Sequence, residues 1–92
     1  MEVINNKEKS RFEYHIGDRF AIMEYNIKFK KLIIAHTEVP AEFAGQGIGK
    51  ILVKYAIQYA EKNNLLIIAI CSFTESYLNK HPEYNHLRDV KK

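Results

Sequence analysis

The chain of 92 residues is poor in cysteine and glycine, and it contains no long apolar run. Its single cysteine, Cys71, excludes an internal disulfide and gives no sign of an oxidising compartment. No stretch approaches the roughly 18 consecutive apolar residues that a membrane span needs. Residues 1–7 lack the basic start, the apolar stretch and the cleavage site of a secretory signal. We therefore expect a cytoplasmic protein without a membrane partner.

The charge of the chain is mildly basic and dispersed. The formal net charge is +3 and the isoelectric point is near 9.0, which suits a phosphorylated small molecule as well as nucleic acid. The densest basic groups lie at residues 28–31 and 91–92, and neither forms a long run. The four histidines are scattered and the cysteine stands alone, so no zinc pattern is present. We expect a solvated surface, no bound metal and no nucleic-acid partner.

The first half of the chain alternates apolar and polar residues, which is the pattern of half-buried β-strands. The predicted strands are residues 3–4, 11–16, 19–27 and 32–39. Gly17 and Asp18 predict a two-residue hairpin turn, because glycine takes a positive φ at no steric cost. Pro40 ends the last of these strands, because proline has no N–H for a sheet ladder.

The second half of the chain has a helical period. From Ile48 to Ala60 the apolar residues recur at intervals of three and four, which forms one stripe of an α-helix. The pair Asn63-Asn64 predicts its end, because asparagine tolerates the left-handed conformation there. The apolar run at residues 65–70 has the length of a strand covered on both faces.

A second helix follows this strand and completes the predicted fold. Ser72 and Glu75 have the spacing of a capping box, and Pro82 would end the helix. The order strand, helix, strand implies a right-handed crossover between parallel neighbours. We predict an α/β (α+β) fold with a mixed, mostly antiparallel sheet of about five strands, one parallel crossover and two main helices. Residues 1–92 would form one domain with a core at about 3–84 and a weakly ordered tail through Lys92.

Three of the four glycines, Gly45, Gly47 and Gly49, lie within five residues between a predicted strand and a predicted helix. Without Cβ atoms, the backbone can approach a ligand closely and successive N–H groups can converge on an anion. The helix adds its free N–H groups and the positive end of its dipole. The spacing matches neither a Walker A loop nor a dinucleotide-binding fingerprint. A diphosphate site is the prediction, and a tightly packed strand-to-helix connection is the alternative.

Four short stretches occur in order along the chain: HTEVP at residues 36–40, GQGIG at 45–49, CSF at 71–73 and HPEY at 81–84. Together they resemble the hallmark stretches of the short, single-domain GNAT-like N-acetyltransferases, and the likeness covers about residues 11–84. The resemblance implies the compact GNAT-like fold, acetyl-CoA as co-substrate and an unidentified amine, of a small molecule or a protein, as acceptor.

Two departures from the family pattern bear on the predicted binding. Ala44 stands where the family usually has arginine or glutamine. The diphosphate would therefore be bound by backbone N–H groups, helped by Lys50. The chain is also too short for the helices that commonly shape the acceptor pocket in longer members. The residues that the resemblance places around acetyl-CoA are Thr37, Val39, Ala44, Gly45, Gln46, Gly47, Ile48, Gly49, Lys50 and Phe73.

Cys71 is the candidate nucleophile. It lies just before a predicted helix, whose positive end would lower the pKa of the thiol and favour attack on a thioester. An inert core cysteine is the alternative. The resemblance adds Tyr77 as the acid that protonates the departing thiolate, with a core tyrosine as the alternative, and the Val39 N–H as the donor to the oxyanion.

His36 is the candidate general base, and Glu38 is its rival. A neutral imidazole accepts a proton near physiological pH. By strict alternation, His36 would share a face of its strand with Leu32, Ile34 and Glu38. A structural histidine and an ordinary exposed carboxylate are the respective alternatives.

Three functions follow from these features. The first is a small acetyltransferase that uses either Cys71 or a general base. The second is a CoA-binding module without activity of its own, acting in a complex that supplies the acceptor site. The third, a basic nucleic-acid binder, agrees with the charge but explains neither the glycine loop nor the order of the four stretches.

Overall fold

The computed structural model describes residues 3–89, which form five strands, two α-helices and two short 3₁₀ helices. The strands are β1 (Val3–Asn6), β2 (Arg11–Ile16), β3 (Arg19–Lys28), β4 (Lys31–Glu38) and β5 (Leu66–Ala69). The α-helices are α1 (Ile48–Lys62) and α2 (Ser72–Asn79), and the 3₁₀ helices are Ala41–Phe43 and Pro82–Leu87. Residues 90–92, at the end of the tail that we expected to be weakly ordered, lie outside the described residues.

The strands lie side by side in chain order, β1-β2-β3-β4-β5. The first three pairings are antiparallel and the last, between β4 and β5, is parallel. Gly17 has a φ of 61° in the turn between β2 and β3, where glycine carries no steric penalty. The predicted mixed sheet with one parallel crossover is therefore confirmed. Within residues 3–89, neither helix has the length and apolar character to cross a membrane.

Helix α1 covers one face of the sheet and closes the core. Phe12 stacks on Tyr25 with ring centroids 4.4 Å apart, and its other side meets the edge of Tyr55 on α1 at 5.0 Å. Phe12 and Leu52 are fully buried. Complete burial of such side chains contributes about 1.5–3 kcal/mol each, so this aromatic contact anchors α1 across β2 and β3. The opposite side of the sheet, which we call the open face, carries the exposed residue Glu24.

Strand β4 contains a β-bulge at Ala35. Tyr25 of β3 pairs with Ile34, whereas the preceding residue, Glu24, pairs with His36. Ala35 is therefore an extra residue without a partner across the ladder. Because side chains alternate between the two faces of a strand, one extra residue reverses the orientation of every residue after it.

The bulge changes where the end of β4 points. His36 lies on the open face, exposed, and the prediction that it shares a face with Leu32 and Ile34 is wrong. Its shared face with Glu38 is confirmed, since both residues follow the bulge. Thr37 instead turns toward the covered face, where α1 packs.

Helix α2 begins without the predicted capping box. Its N-cap residue is Cys71, and no side chain caps the helix by a hydrogen bond. The carboxylate of Glu75 accepts a hydrogen bond from Arg88 at 2.5 Å and so does not reach back to the N-terminus. The capping interaction predicted for Ser72 and Glu75 is wrong, because Arg88 offers that carboxylate a charged partner.

The end of α2 also differs from the prediction. The helix ends at Asn79 instead of continuing to Pro82, which opens the second 3₁₀ helix. His81 has φ −131° and ψ 73°, outside the helical region, because a residue before proline is forced away from α-helical geometry.

Candidate functional site

The glycine loop leaves the first 3₁₀ helix and leads directly into α1. Gly45 and Gly47 have φ of 82° and 78°, a left-handed conformation that L side chains rarely adopt. A Cβ built on either residue meets no atom within 4 Å. Backbone conformation, and not packing, therefore requires glycine at these two positions.

The N-terminus of α1 presents unpaired N–H groups at this loop. The first bond of the helix runs from the Ile51 N–H to the Gly47 carbonyl at 3.2 Å. The N–H groups of residues 48–50 accordingly have no acceptor within the helix. The first turn contains no acidic residue and includes Lys50. This arrangement favours an anion, because N–H groups, helix dipole and lysine all contribute positive potential.

A cleft of about 360 Å³ opens at this end of α1, and we call it the loop cleft. It is lined by the end of β4, the first 3₁₀ helix, the loop and the start of α2. The lining residues are Thr37, Val39, Phe43, Ala44, Gly45, Gly47, Ile48, Gly49, Lys50 and Phe73. The structure thus brings together every residue predicted to contact acetyl-CoA except Gln46, which is exposed and outside the lining.

Phe43 is the lining residue that the sequence did not reveal. It is a single apolar residue in the 3₁₀ helix Ala41–Phe43, and so belongs to no periodic pattern. Its position two residues before Gly45 was the only available signal.

Phe73 closes one side of the loop cleft by packing on Gly49. A Cβ at Gly49 would lie 2.7 Å from the Phe73 ring, which is closer than real Cβ atoms come to their neighbours. Close packing therefore explains this glycine, whereas backbone conformation explains Gly45 and Gly47. The packing interpretation of the loop thus applies to Gly49, and the diphosphate site at the loop stays a prediction.

The thiol of Cys71 lies beside the loop cleft. It donates a hydrogen bond to the Thr37 hydroxyl at 3.3 Å, and Thr37 in turn lines the cleft. Burial tends to raise the pKa of this thiol, but once the thiol is ionised the Thr37 hydroxyl and the backbone N–H groups of Thr74 and Phe73 donate to the thiolate, and this holds the pKa below its usual value. Those backbone groups belong to the start of α2, where a lowered pKa was expected.

Thr37→Val is expected to slow the alkylation of Cys71 by iodoacetamide at pH 7 by about two- to fivefold. Removing the hydroxyl raises the thiol pKa and lowers the fraction of reactive thiolate. The rate is read by mass spectrometry, with Thr37→Ser as the matched variant that keeps the hydroxyl. Equal rates in the two variants would show that Thr37 does not control the thiol.

His36 and Glu38 form a pair on the open face. The Nε2 of His36 lies 3.1 Å from Oε2 of Glu38, and both side chains are exposed. The hydrogen bond to Glu38 raises the pKa of His36, because it favours the charged imidazolium. Neither residue lines the loop cleft; both lie on the open face, whereas the Cys71 thiol contacts Thr37, which points to the covered face.

Tyr77 lines a cavity of about 170 Å³ next to the loop cleft. The two spaces share Lys50 and Phe73 in their linings. The Tyr77 ring is buried and stacks on His81 with centroids 4.2 Å apart. Burial, with Tyr84 and Glu83 nearby, raises the pKa of Tyr77, so its hydroxyl remains protonated and able to donate at neutral pH.

A second cleft, of about 380 Å³, lies on the open face beside the end of β4, and we call it the open-face cleft. Its lining residues come from three strands and the following loop: Arg11, Arg19, Phe20, Ile22, Glu38, Val39 and Pro40. Val39 lines both clefts, so they meet at the end of β4. Between residues 3 and 89, no group of three or more His, Cys, Asp or Glu residues is arranged to hold a metal ion.

Comparison with known proteins assigns the chain to a family, and the sheet, the glycine loop and the loop cleft described above agree with that assignment. A sequence model of the family described as GCN5-related N-acetyl-transferase matches residues 11–87. This chain belongs to that family. The predicted resemblance and the GNAT-like fold are confirmed by this match and by a solved relative. That relative, a GCN5-like protein of Staphylococcus aureus with an NMR solution structure, gives a TM-score of 0.77 at 31% identity, covering 99% of this chain and 90% of its own.

Relatives of known sequence include the proteins called Protein NATD1. The one from Xenopus tropicalis is 26% identical over 94 residues, which cover 99% of this chain and 86% of the relative. The human protein is 30% identical over 72 residues, which cover 77% of this chain and 64% of the relative. These likenesses agree with the family and name no acceptor.

Proposed function

We propose that this protein is a small, single-domain N-acetyltransferase that binds acetyl-CoA in the loop cleft and transfers its acetyl group to an amine. The observation that carries the proposal is the set of free N–H groups at residues 48–50, which open into a cleft beside Lys50. A diphosphate suits such a site, because it accepts several charge-assisted hydrogen bonds at once. Membership of the family supports acetyl-CoA as the source of that diphosphate.

The acetyl end of the donor would lie at the end of β4. Thr37 and Val39, which precede the glycine loop in the chain, line the loop cleft there. The Val39 N–H would donate to the oxyanion that develops on the thioester carbonyl. Ala44 offers no side-chain donor, so backbone groups and Lys50 would hold the diphosphate.

In direct transfer, the lone pair of the amine nitrogen attacks the thioester carbonyl carbon. The new C–N bond forms as the C–S bond breaks. The nitrogen loses its proton to a base, for which His36 and Glu38 are the candidates, and the departing thiolate takes a proton from an acid. Tyr77 is the candidate acid, because its raised pKa keeps the hydroxyl protonated.

In covalent transfer, the Cys71 thiolate attacks the same carbonyl carbon. An S–C bond to Cys71 forms, the bond to the CoA sulfur breaks, and the CoA thiolate is protonated. The amine then displaces Cys71 from the acetyl group, and its proton returns to solvent through the base. The lowered pKa of Cys71 and its hydrogen bond to Thr37 support this route.

Binding of the donor is tested by titrating the labelled protein with acetyl-CoA and following its amide resonances. Shifts are expected at residues 45–50, with much smaller changes on the open face of β2. Unmoved loop resonances at millimolar acetyl-CoA would rule out the proposed function at its first step.

Incubation with acetyl-CoA is expected to add one acetyl group to the protein, and Cys71→Ala is expected to remove that addition. The thiolate is the only proposed nucleophile on the chain, so the adduct depends on it. Intact mass spectrometry provides the measurement. Gly47→Val serves as a control, since it keeps the thiol but disturbs the donor site. Full turnover in Cys71→Ala would favour direct transfer instead.

A CoA-binding module without its own activity is the second candidate. The observation that favours it is that neither candidate base, His36 or Glu38, lines the loop cleft. The two functions differ in a screen of amine acceptors, followed by the release of free thiol from acetyl-CoA. Thiol release that depends on an added amine favours the enzyme, and binding without release favours the module.

A further inference from the structure

We propose that the open-face cleft binds the acceptor, and that the acceptor is a compact amino acid with an apolar side chain. The inference rests on the proposed acetyl transfer and assigns its second substrate. The starting observation is that Val39 lines both clefts, so a molecule in the open-face cleft and a thioester in the loop cleft would meet at one residue.

The carboxylate of the acceptor would bind Arg11, whose guanidinium is held in place. Its Nε donates to Oε2 of Glu13 at 2.6 Å, and its central carbon lies 5.2 Å from the centre of the Phe20 ring. Between residues 3 and 89, its two terminal nitrogens make no hydrogen bond. An immobilised guanidinium with two free nitrogens matches the two oxygens of a carboxylate.

Glu13 is the anchor that fixes Arg11. It is only 5% exposed, although it is charged. Besides Arg11, it binds His15 at 2.8 Å and Asn6 at 2.9 Å. A carboxylate with three partners cannot swing toward solvent without losing them, so the guanidinium it holds stays oriented.

The amino group of the acceptor would bind Glu38. Glu13, Ile22 and Glu38 form one row across β2, β3 and β4, because Ile22 pairs with both glutamates. Neighbouring strands lie about 4.8 Å apart, so the guanidinium anchored at Glu13 lies about 5–10 Å from Glu38. An amino acid with a hydrogen bond of about 3 Å at each end spans that gap.

The remaining lining fits a neutral zwitterion with an apolar side chain. The other charged side chain in the cleft, Arg19, is already paired with Glu42. Phe20, Ile22 and Pro40 supply an apolar wall between the two charged ends. Glu38 or His36 would take one proton from the bound ammonium, and the freed amine would attack the thioester carbonyl. As the C–N bond forms and the C–S bond breaks, the nitrogen would lose its second proton and the CoA thiolate would leave as the thiol.

The test compares L-leucine, L-leucinamide and isopentylamine as acceptors for acetyl-CoA, with thiol release as the readout. Leucine is expected to have a kcat/KM about tenfold or more above that of either analogue, because both lack the carboxylate that charge-assisted bonds would hold. Similar values for the three amines would overturn the assignment while leaving acetyl transfer intact.

Variants of Arg11 test the same site without relying on the analogues. Arg11→Lys keeps the positive charge but loses the planar guanidinium that can donate two parallel hydrogen bonds. It is expected to reduce the preference for leucine over leucinamide to about twofold or less. Arg11→Gln takes the positive charge away from buried Glu13 and so changes stability as well as binding. Phe20→Leu, which removes the ring beside the guanidinium but keeps an apolar side chain in the wall of the cleft, is therefore the second variant and should also reduce the preference. Lys54→Gln, on the exposed side of α1, controls for net charge. An unchanged preference in Arg11→Lys and Phe20→Leu would overturn the assignment.

Failure of this inference is distinct from failure of the proposed function. If acetyl-CoA shifts the amide resonances of residues 45–50 but no amine causes release of thiol from acetyl-CoA, the acceptor assignment is wrong and the proposed donor binding is supported. If those resonances do not move, the proposed function falls with it.

Discussion

Gly47→Val is expected to lower the affinity for acetyl-CoA by about a hundredfold, since losing two charge-assisted hydrogen bonds removes about 3 kcal/mol. Gly47 has a φ of 78°, a conformation in which a β-branched residue is a genuine outlier. The strained loop would turn the N–H groups of residues 48–50 away from their common direction. The Cβ would also enter the open space in which we place the diphosphate. Calorimetric titration with acetyl-CoA measures the loss.

Gly17→Val is the matched control for that experiment. Gly17 has a φ of 61°, and a Cβ there also meets no atom within 4 Å. It lies in the turn between β2 and β3 and does not line the loop cleft. Both variants should lose about 1–2 kcal/mol of stability from left-handed strain, whereas only Gly47→Val should lose acetyl-CoA. Comparable affinities in the two variants would show that strain alone, and not the loop geometry, accounts for any effect.

Glu13→Gln is expected to lower the free energy of unfolding at pH 7 by about 2–3 kcal/mol. Burial alone would raise the pKa of Glu13, but hydrogen bonds from His15, Arg11 and Asn6 lower it to about 2. The amide of glutamine cannot replace the charge that Arg11 faces, so the variant loses the attraction and keeps the burial. Urea denaturation followed by circular dichroism measures the difference.

The native protein and the Glu13→Gln variant are also expected to differ in their stability toward acid. The folded pKa of Glu13, about 2, lies below the value of 4.5 for an unperturbed glutamate, so the unfolded chain binds more protons between these limits. The stabilisation is therefore complete above pH 4.5 and is lost as the pH falls toward 2. The native protein should lose stability more steeply over this window than Glu13→Gln. Glu24→Gln, an exposed carboxylate on the same face, should follow the native curve, and matching slopes in all three would contradict the assignment.

The sequence predicted those elements whose apolar spacing is long and regular. Helix α1 begins at Ile48 and ends just before the Asn63-Asn64 pair, as its stripe of apolar residues indicated. The loop residues that line the cleft were also predictable, because three glycines and four family stretches all indicated the same end of α1. Local signals were sufficient where the loop cleft is built from consecutive residues.

Features that depend on tertiary pairing were not predictable. The bulge at Ala35 lies at the end of a continuous apolar run that carries no mark of an extra residue; only the pairing of His36 with Glu24 reveals it.

 Ala35 itself is an ordinary small apolar residue, so nothing in its chemistry marks it as unpaired. The open-face cleft was missed for a related reason, because its walls come from three strands that meet only through the register of the sheet. The capping of α2 was mispredicted because Arg88, distant in sequence, engages Glu75.

The order of the strands has a consequence for how the protein folds. Each of β1 to β4 pairs with its neighbour in the chain, so these contacts close only short loops and should form early. The parallel pairing of β4 with β5 must wait for the longer crossover, which contains the glycine loop and α1. We therefore expect the loop cleft to be absent from the folding transition state. Bound acetyl-CoA would then slow unfolding while leaving the refolding rate nearly unchanged, which stopped-flow measurements with and without the ligand can distinguish.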